Sequence, residues 1–347
     1  MFLLRYTITD RLLASIKRIN TIVHTLNHRR FPNIVLLELE RNAREVSSYA
    51  STSIEGNPLP LTEVKKILKT KPAYIRDSER EVINYNQALQ RLNETIGIGE
   101  MTLSLELILD IQKHVTEGLL PSHDAGHLRQ KPVVVNDPRT GQVVYLPPNV
   151  GEVKPLLEEL IDFTNKNKNI IDSLILAGIF HKQMVIIHPF MDGNGRSTRL
   201  ATKVLLAQMG LNTFNLFSFE NYYNQNVTKY FQTVGEFGNY YDIVGKIDFT
   251  SFLEYFTEGI IDELLRVEKL LPKTILSPET QLKSYHLKML EHINERGFIS
   301  DPEYKKLVNR AKATRTLDFK RLIELGLIER KGKGKATFYI LKENSAS

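Results

Sequence analysis

The chain has 347 residues, 46 Lys+Arg against 40 Asp+Glu, a formal net charge of +6, 42% hydrophobic content and no cysteine. That balance suits a globular protein of two or three units, and it excludes disulfides and thiolate zinc sites. No run of about 18 apolar residues reads as a membrane span, and Met1-Phe-Leu-Leu is too short and too polar-flanked for a signal peptide, so a cytoplasmic protein without a membrane partner is expected.

In chain order, Leu36–Ile54 carries apolar residues at helical spacing and stops at Glu55-Gly56-Asn57-Pro58, a strong C-terminal stop. Glu55 therefore sits where the helix macrodipole disfavours an anion by a few tenths to about 1 kcal/mol. A cation should meet it; the alternative is an ordinary solvated cap. His123 and His127 fall in a loop-like stretch with no third ligand nearby, and read as surface histidines. Val133-Val134-Val135 and Gln142-Val143-Val144-Tyr145 flank the turn-rich Asn136–Gly141. Two β-branched runs around such a loop predict a hairpin. Its edge is either covered or open to strand addition by an extended segment of another protein.

The most informative stretch is His188-Pro-Phe-Met-Asp-Gly-Asn-Gly-Arg-Ser-Thr-Arg199, set between an apolar run, Leu174–Ile187, and a second helical pattern, Ser197–Met209. It reads as a loop whose polar groups gather at a helix N-terminus, where backbone N–H groups and the dipole favour an anion. Gly193-Asn194-Gly195 lets the backbone approach a ligand and offers amides for a phosphate nest. Arg196 and Arg199, three apart, share a helix face and match phosphate oxygens bidentately. Asp192 suits Mg²⁺, which binds through one or two carboxylates plus substrate phosphates. His188 is the natural proton acceptor near neutrality. A hydroxyl deprotonated by His188 and attacking a phosphate held in the nest makes a coherent site. The Lys of a P-loop and the strand context of a dinucleotide fingerprint are both missing. His181, seven residues before His188 on the apolar run, reads as a satisfied core histidine.

Phe219–Val234 is rich in Asn and Tyr, residue types suited to a base-binding surface; packed core aromatics are the competing reading. Two prolines in Pro272–Pro278 mark a boundary. Beyond it, residues 281–347 hold 15 Lys+Arg against 8 Asp+Glu, so the whole positive surplus lies there and residues 1–280 are left slightly negative. Helical patterns over Gln281–Glu295, Asp301–Val308 and Thr314–Leu325 precede two strand-like runs joined by a basic glycine turn within Gly326–Leu341. This order resembles a winged helix-turn-helix. A recognition helix from Ala313 to Leu325 would offer Arg315, Lys320 and Arg321, and a wing Lys331, Lys333 and Lys335, to DNA or to a protein partner.

The central stretch closely resembles the signature of the Fic family, H-x-F-x-[D/E]-G-N-G-R-x-x-R, with His188, Phe190, Asp192, Gly193, Asn194, Gly195, Arg196 and Arg199 filling every specified position. The resemblance implies a mainly α, Fic-type helical core with a small hairpin flap, followed here by the winged helix. It implies units 1–84, 85–265 and 266–347: an N-terminal helical segment, a catalytic core, and a linker with the winged helix. The implied activity is transfer of AMP from ATP to a Ser, Thr or Tyr hydroxyl of a target protein, the chain itself included, with Mg²⁺. Carried over, His188 is the base, Phe190 a buried anchor and Asp192 the metal carboxylate. Gly193, Asn194, Gly195, Arg196, Ser197, Thr198 and Arg199 are the nucleotide contacts, Arg196 at the α/β- and Arg199 at the γ-phosphate. The target would dock along the 131–145 hairpin, with Gly126 and Arg129 at the family's G-x-x-R lead-in. In the later helix the usual N-R-x-x-Y becomes Asn226-Val227-Thr228-Lys229-Tyr230, without the arginine; Tyr230 and Asn226 are the implied nucleotide contacts there. Ser51-x-x-x-Glu55-Gly56 resembles the family's inhibitory motif, in which Glu55 pairs with Arg199 and obstructs the γ-phosphate. A DNA-binding regulator with a nucleotide-sensing core, de-adenylylation and phosphohydrolysis stay open as alternatives, as does a homodimer.

Overall fold

The computed structural model describes residues 4–29, 31, 33–70, 74–98, 102–136, 141–208, 210–271 and 282–342. The boundary expected at Pro272–Pro278, the hairpin tip at 137–140 and the first three residues lie outside this set, as does the side chain of Lys335. The chain divides into one unit of residues 1–24 and 43–265 and a second of 25–42 and 266–347. No helix among the described residues is long and apolar enough to cross a membrane.

The first unit is built on two adjacent helices, α7 (Ser173–Ile187) and α8 (Asn194–Gln208), joined by the His188–Gly193 loop. Residues from Leu174 to Ile187 are buried on every side except Val185, so α7 is a central helix rather than an amphipathic one. Asp172 fixes its start by accepting from the N–H groups of Leu174 and Ile175. Around the pair lie α6 (Val150–Asn167), packed on α7, and α5 (Leu105–Thr116), packed on α8. Ser104 caps α5 through the Leu107 N–H, and Ile108, Ile111 and Val115 form its buried face. Behind α5 comes α4 (Asp77–Ile98), which also touches α8. The chain also forms α1 (Asp10–Asn27), α2 (Asn33–Ile54), α3 (Leu61–Thr70), α9 (Phe219–Gln225), α10 (Val227–Val234), α11 (Tyr240–Ile243) and α12 (Thr250–Leu270).

The expected hairpin is shorter than its sequence suggests and is not alone. β1 (Val135–Asn136) pairs antiparallel with β2 (Val143–Leu146), in register Val135–Tyr145 and Asn136–Val143 with an irregularity between them. The second edge of β2 is taken by a parallel strand, β3 (Gly238–Asn239). Val133 and Val134 stay outside the ladder. Among the described residues β2 is thus the central strand, and within the hairpin only β1 keeps an outer edge. The covering strand comes from a segment about a hundred residues away, which local β-propensity cannot reveal.

The second unit shows the expected order. It runs α13 (Ser284–Arg296), α14 (Asp301–Leu307), α15 (Lys312–Glu324), then the antiparallel pair β4 (Ile328–Lys331) and β5 (Phe338–Leu341). Gly297 ends α13 at φ 84°, and a Ser300–Glu303 capping box with Pro302 starts α14. Met289, Leu290, Ile293, Tyr304, Phe319, Leu322 and Ile328 share one core, with Phe319 and Tyr339 stacked at 4.0 Å.

One expectation is corrected here: Arg315 is not available to a nucleic acid. Its side chain is 6% exposed and is held by Asp301 at 2.8 Å, because Arg315 lies on the inner face of α15. Asp318, on the same face, accepts from Tyr304 Oη at 2.9 Å and from Arg310 Nε at 2.8 Å. Asp318→Ala should lower the stability of this unit by about 1–3 kcal/mol, because the buried Tyr304 hydroxyl is left without its acceptor. Denaturant unfolding followed on this unit's transition checks it, and an unchanged midpoint contradicts it.

Candidate active site

His188 closes α7 in the left-handed region, at φ 51° and ψ 62°, with its N–H on the Met184 carbonyl. For a residue other than glycine this costs roughly 1–2 kcal/mol, so the surroundings must hold it. Three groups do. Asn194 donates from Nδ2 to the Phe190 carbonyl and accepts the Phe190 N–H at Oδ1, both at 2.9 Å, cinching the loop across four residues. Phe190 is fully buried and anchors the turn. Gln112 on α5 donates to the Asp192 carbonyl at 3.1 Å and accepts the Gly126 N–H. Gly193, at φ 79°, then turns the chain into α8, and a Cβ there would press on Thr116 at 2.8 Å.

The anion site differs in form from the expected nest. Gly193 is left-handed, but Asn194 and Gly195 already belong to α8, and the Gly193 N–H is occupied by Asp192 Oδ1 at 2.6 Å. What faces outward is a helix N-terminus: among the described residues no acceptor takes the N–H groups of Asn194, Gly195 and Arg196. These are the orphan donors that hold a phosphate at such an end. Asn194 thus contributes its backbone, its side chain being spent on the loop.

Both signature arginines are already engaged by carboxylates. Arg199, fully buried, donates from Nε to Ser51 Oγ at 2.8 Å, and from Nη2 to the Ser51 carbonyl at 2.8 Å and Glu55 Oε1 at 2.7 Å. Burial by itself would lower its pKa, but the Glu55 carboxylate raises it above the usual range. Gly195 permits the approach, since a Cβ at that position would overlap Glu55 Oε1. Arg196 lies 2.9 Å from Asp192 Oδ2 and 3.1 Å from Glu81 Oε1 on α4. Asn57, two residues after Glu55, donates to Glu81 Oε2 at 2.7 Å, so the turn that follows α2 also touches the carboxylate that holds Arg196.

The helix carrying Glu55 is pinned from below. Ser47, two turns before Glu55, donates to buried Glu220 at 3.0 Å and accepts from Lys203 at 3.1 Å, while Tyr85 donates to the same Glu220 at 2.7 Å. Sequence reasoning missed Glu220, Glu81 and Gln112, each a polar residue with no motif around it. Only Gln112 leaves a local trace, as a polar residue on the buried face of α5.

Burial pushes the His188 imidazole down to about 4, against the Val185 carbonyl and the Glu55 and Asp192 carboxylates, which favour the charged ring. Arg129 acts in the same direction as burial. The ring is thus neutral near pH 7. Nδ1 is sealed from solvent, which leaves Nε2 as the nitrogen for an incoming hydroxyl.

Four expected nucleotide contacts are placed elsewhere. Ser197 and Thr198 are fully buried, with hydroxyls that have no partner, because they lie on the core side of α8. Tyr230 is buried, stacked on Tyr223 at 4.4 Å with its hydroxyl 3.0 Å from His181 Nε2, so it offers no ring face to a base. Asn226 is exposed and caps α10 by accepting from Lys229. His181 is the expected core histidine, its other nitrogen 3.0 Å from Thr202 Oγ1.

Residues 102–206 match the model of the Fic/DOC family. The chain is 28% identical over 217 residues to the protein adenylyltransferase Fic of Aedes aegypti, an overlap of 57% of this chain and 42% of that one. To the protein of the same name from Nematostella vectensis it is 30% identical over 166 residues, 47% of this chain and 37% of the other. The chain therefore aligns with about two fifths of these relatives' length. A crystal structure of a Fic family protein from Desulfovibrio desulfuricans superposes over 100% of both chains with a TM-score of 0.66 at 19% identity, which shows a shared fold.

Proposed function

We propose, from the match of residues 102–206 to the Fic/DOC family model, that the protein transfers AMP from ATP to a hydroxyl of a protein target and is held back in cis by Glu55. The single observation that carries the reading is the convergence at one helix end: free N–H groups, two buried arginines and a neutral imidazole. The triphosphate would seat on the α8 N-terminus, with Arg196 and Arg199 completing its charge. The target hydroxyl oxygen bonds to the α-phosphorus, the bond from that phosphorus to the bridging oxygen breaks, and pyrophosphate leaves with the electron pair. The hydroxyl proton passes to His188 Nε2.

Mg²⁺ fits the donor set: the Asp192 side chain is half exposed and Mg²⁺ needs few protein ligands when phosphates supply the rest. Asp192 would hold it, and it would neutralise phosphate charge when bound. Such a role requires Asp192 to exchange its contact with Arg196 for the ion, freeing that guanidinium toward phosphate at the same time.

Intact-mass spectrometry after incubating wild type and Glu55→Gly with ATP and Mg²⁺ tests the reading. One AMP added per modified hydroxyl supports it; free AMP or phosphate without protein labelling replaces it with hydrolysis. The pH dependence is a second check. The base must be unprotonated, and its pKa lies near 4 rather than at the ordinary 6.5. The transfer rate should stay level as pH falls through 6.5 and drop only toward about 4. A midpoint near 6.5 contradicts the buried, neutral imidazole.

For the second unit we propose a winged helix, with DNA as its partner. Lys312, Lys320, Lys331 and Lys333 are exposed on α15 and the wing, and their charge supports contact with a phosphate backbone. Binding of the full chain to a duplex should weaken with salt, log K falling by about 0.9 per phosphate contact on log salt. No shift at low salt removes the proposal.

A further inference from the structure

We propose that Arg129 is a positioning residue that locks His188 and the two stems of the β1–β2 pair into one fixed arrangement. The inference rests on the reading of His188 as the base. Arg129 is 2% exposed, and among the described residues no carboxylate pairs with it. Its guanidinium is spent on main-chain carbonyls. Nε donates to His188 O at 2.9 Å, Nη1 to Lys131 O at 3.4 Å, and Nη2 to Pro148 O. Its own N–H reaches Pro189 O at 2.9 Å.

These acceptors belong to three separate segments: the catalytic loop, the approach to β1 and the exit from β2. A cation taken out of water without a counter-ion is costly, and oriented carbonyl dipoles are its compensation. A planar fork with five N–H donors spread over three nitrogens serves carbonyls arriving from three directions at once; an ammonium's three donors radiate from a single nitrogen, and an amide offers only two. One of these carbonyls is that of the left-handed residue itself, where the chain leaves α7 and its last carbonyls lack helical partners. Tyr145 on β2 makes a parallel tie, donating to Ile186 O at 3.0 Å. Arg129 thereby sets the separation between the base and the strand edge beside which a target hydroxyl would be presented. A shift of about 1 Å at such a site costs on the order of 10²-fold in rate.

The test uses the full chain in the Glu55→Gly background, comparing Arg129→Met and Arg129→Lys with their parent. Pyrophosphate release is measured as ATP is varied, and the ¹³Cα resonance of His188 is followed in histidine-labelled protein. We expect kcat to fall about 10²-fold in Arg129→Met and about tenfold in Arg129→Lys, with KM for ATP within twofold of the parent. The His188 resonance should leave its left-handed position in both. Rates within threefold of the parent, a KM that rises as far as kcat falls, or an unmoved His188 resonance would each overturn the proposal. If Arg129→Met does not fold, Arg129→Lys carries the same readouts. A parent that releases no pyrophosphate sinks the transferase reading instead, and the resonance alone then decides whether Arg129 holds His188.

Discussion

His188→Ala should lower AMP transfer by about 10²–10⁴-fold in the Glu55→Gly background, the range a well-placed general base contributes. Nucleotide affinity should hardly change, because the proposed phosphate donors are the α8 N–H groups and the two arginines, and neither arginine bonds to the imidazole. Alanine also suits the backbone poorly at φ 51°, so some loss of stability accompanies the change. His188→Asn separates the two effects: asparagine tolerates the left-handed region and cannot act as a base. Both variants should bind ATP and transfer AMP at least about 10²-fold more slowly than their parent. Transfer at more than a tenth of the parent rate in His188→Asn would mean that the proton leaves by another route.

Glu55→Gly should raise the initial transfer rate by about 10²-fold at saturating ATP. The carboxylate occupies Arg199 at 2.7 Å, and a charge-assisted hydrogen bond of this kind contributes about 1.5–3 kcal/mol. A γ-phosphate needing that arginine must displace it, and about 3 kcal/mol corresponds to roughly 10²-fold. The substitution also opens space above Gly195, where the Glu55 side chain now lies. Release is expected to be incomplete, because Glu81 and Asp192 still hold Arg196. Equal rates for wild type and Glu55→Gly, with ATP and target saturating, would show that the pair is only structural.

The local order of both units could be read from sequence for the same reason. The helical patterns over Asp301–Val308 and Thr314–Leu325 fall on α14 and α15, and Gly297 ends α13, because such signals are short-range; α8 begins at Asn194, three residues before the start that periodicity indicated. What failed depended on which face of a helix looks inward. Ser197, Thr198 and Arg315 lie beside functional or basic neighbours in sequence, yet they point into the core, because successive helical residues are turned about 100° apart. Tyr230 failed in another way, since an aromatic suited to a nucleobase is equally suited to stacking on Tyr223.

From its residues alone the chain determined its charge distribution, its helical order, the loop chemistry of His188 to Arg199 and the stop at Glu55, all properties of contiguous segments. The Glu55–Arg199 pair across 144 positions was implied by the family resemblance and is present; tertiary structure alone decided that Ser51 also reaches Arg199 across 148 positions, that Glu81 takes Arg196, and that β3 closes one edge of β2. Those pairings are set by how helices pack, and packing joins residues whose separation along the chain carries no local signal.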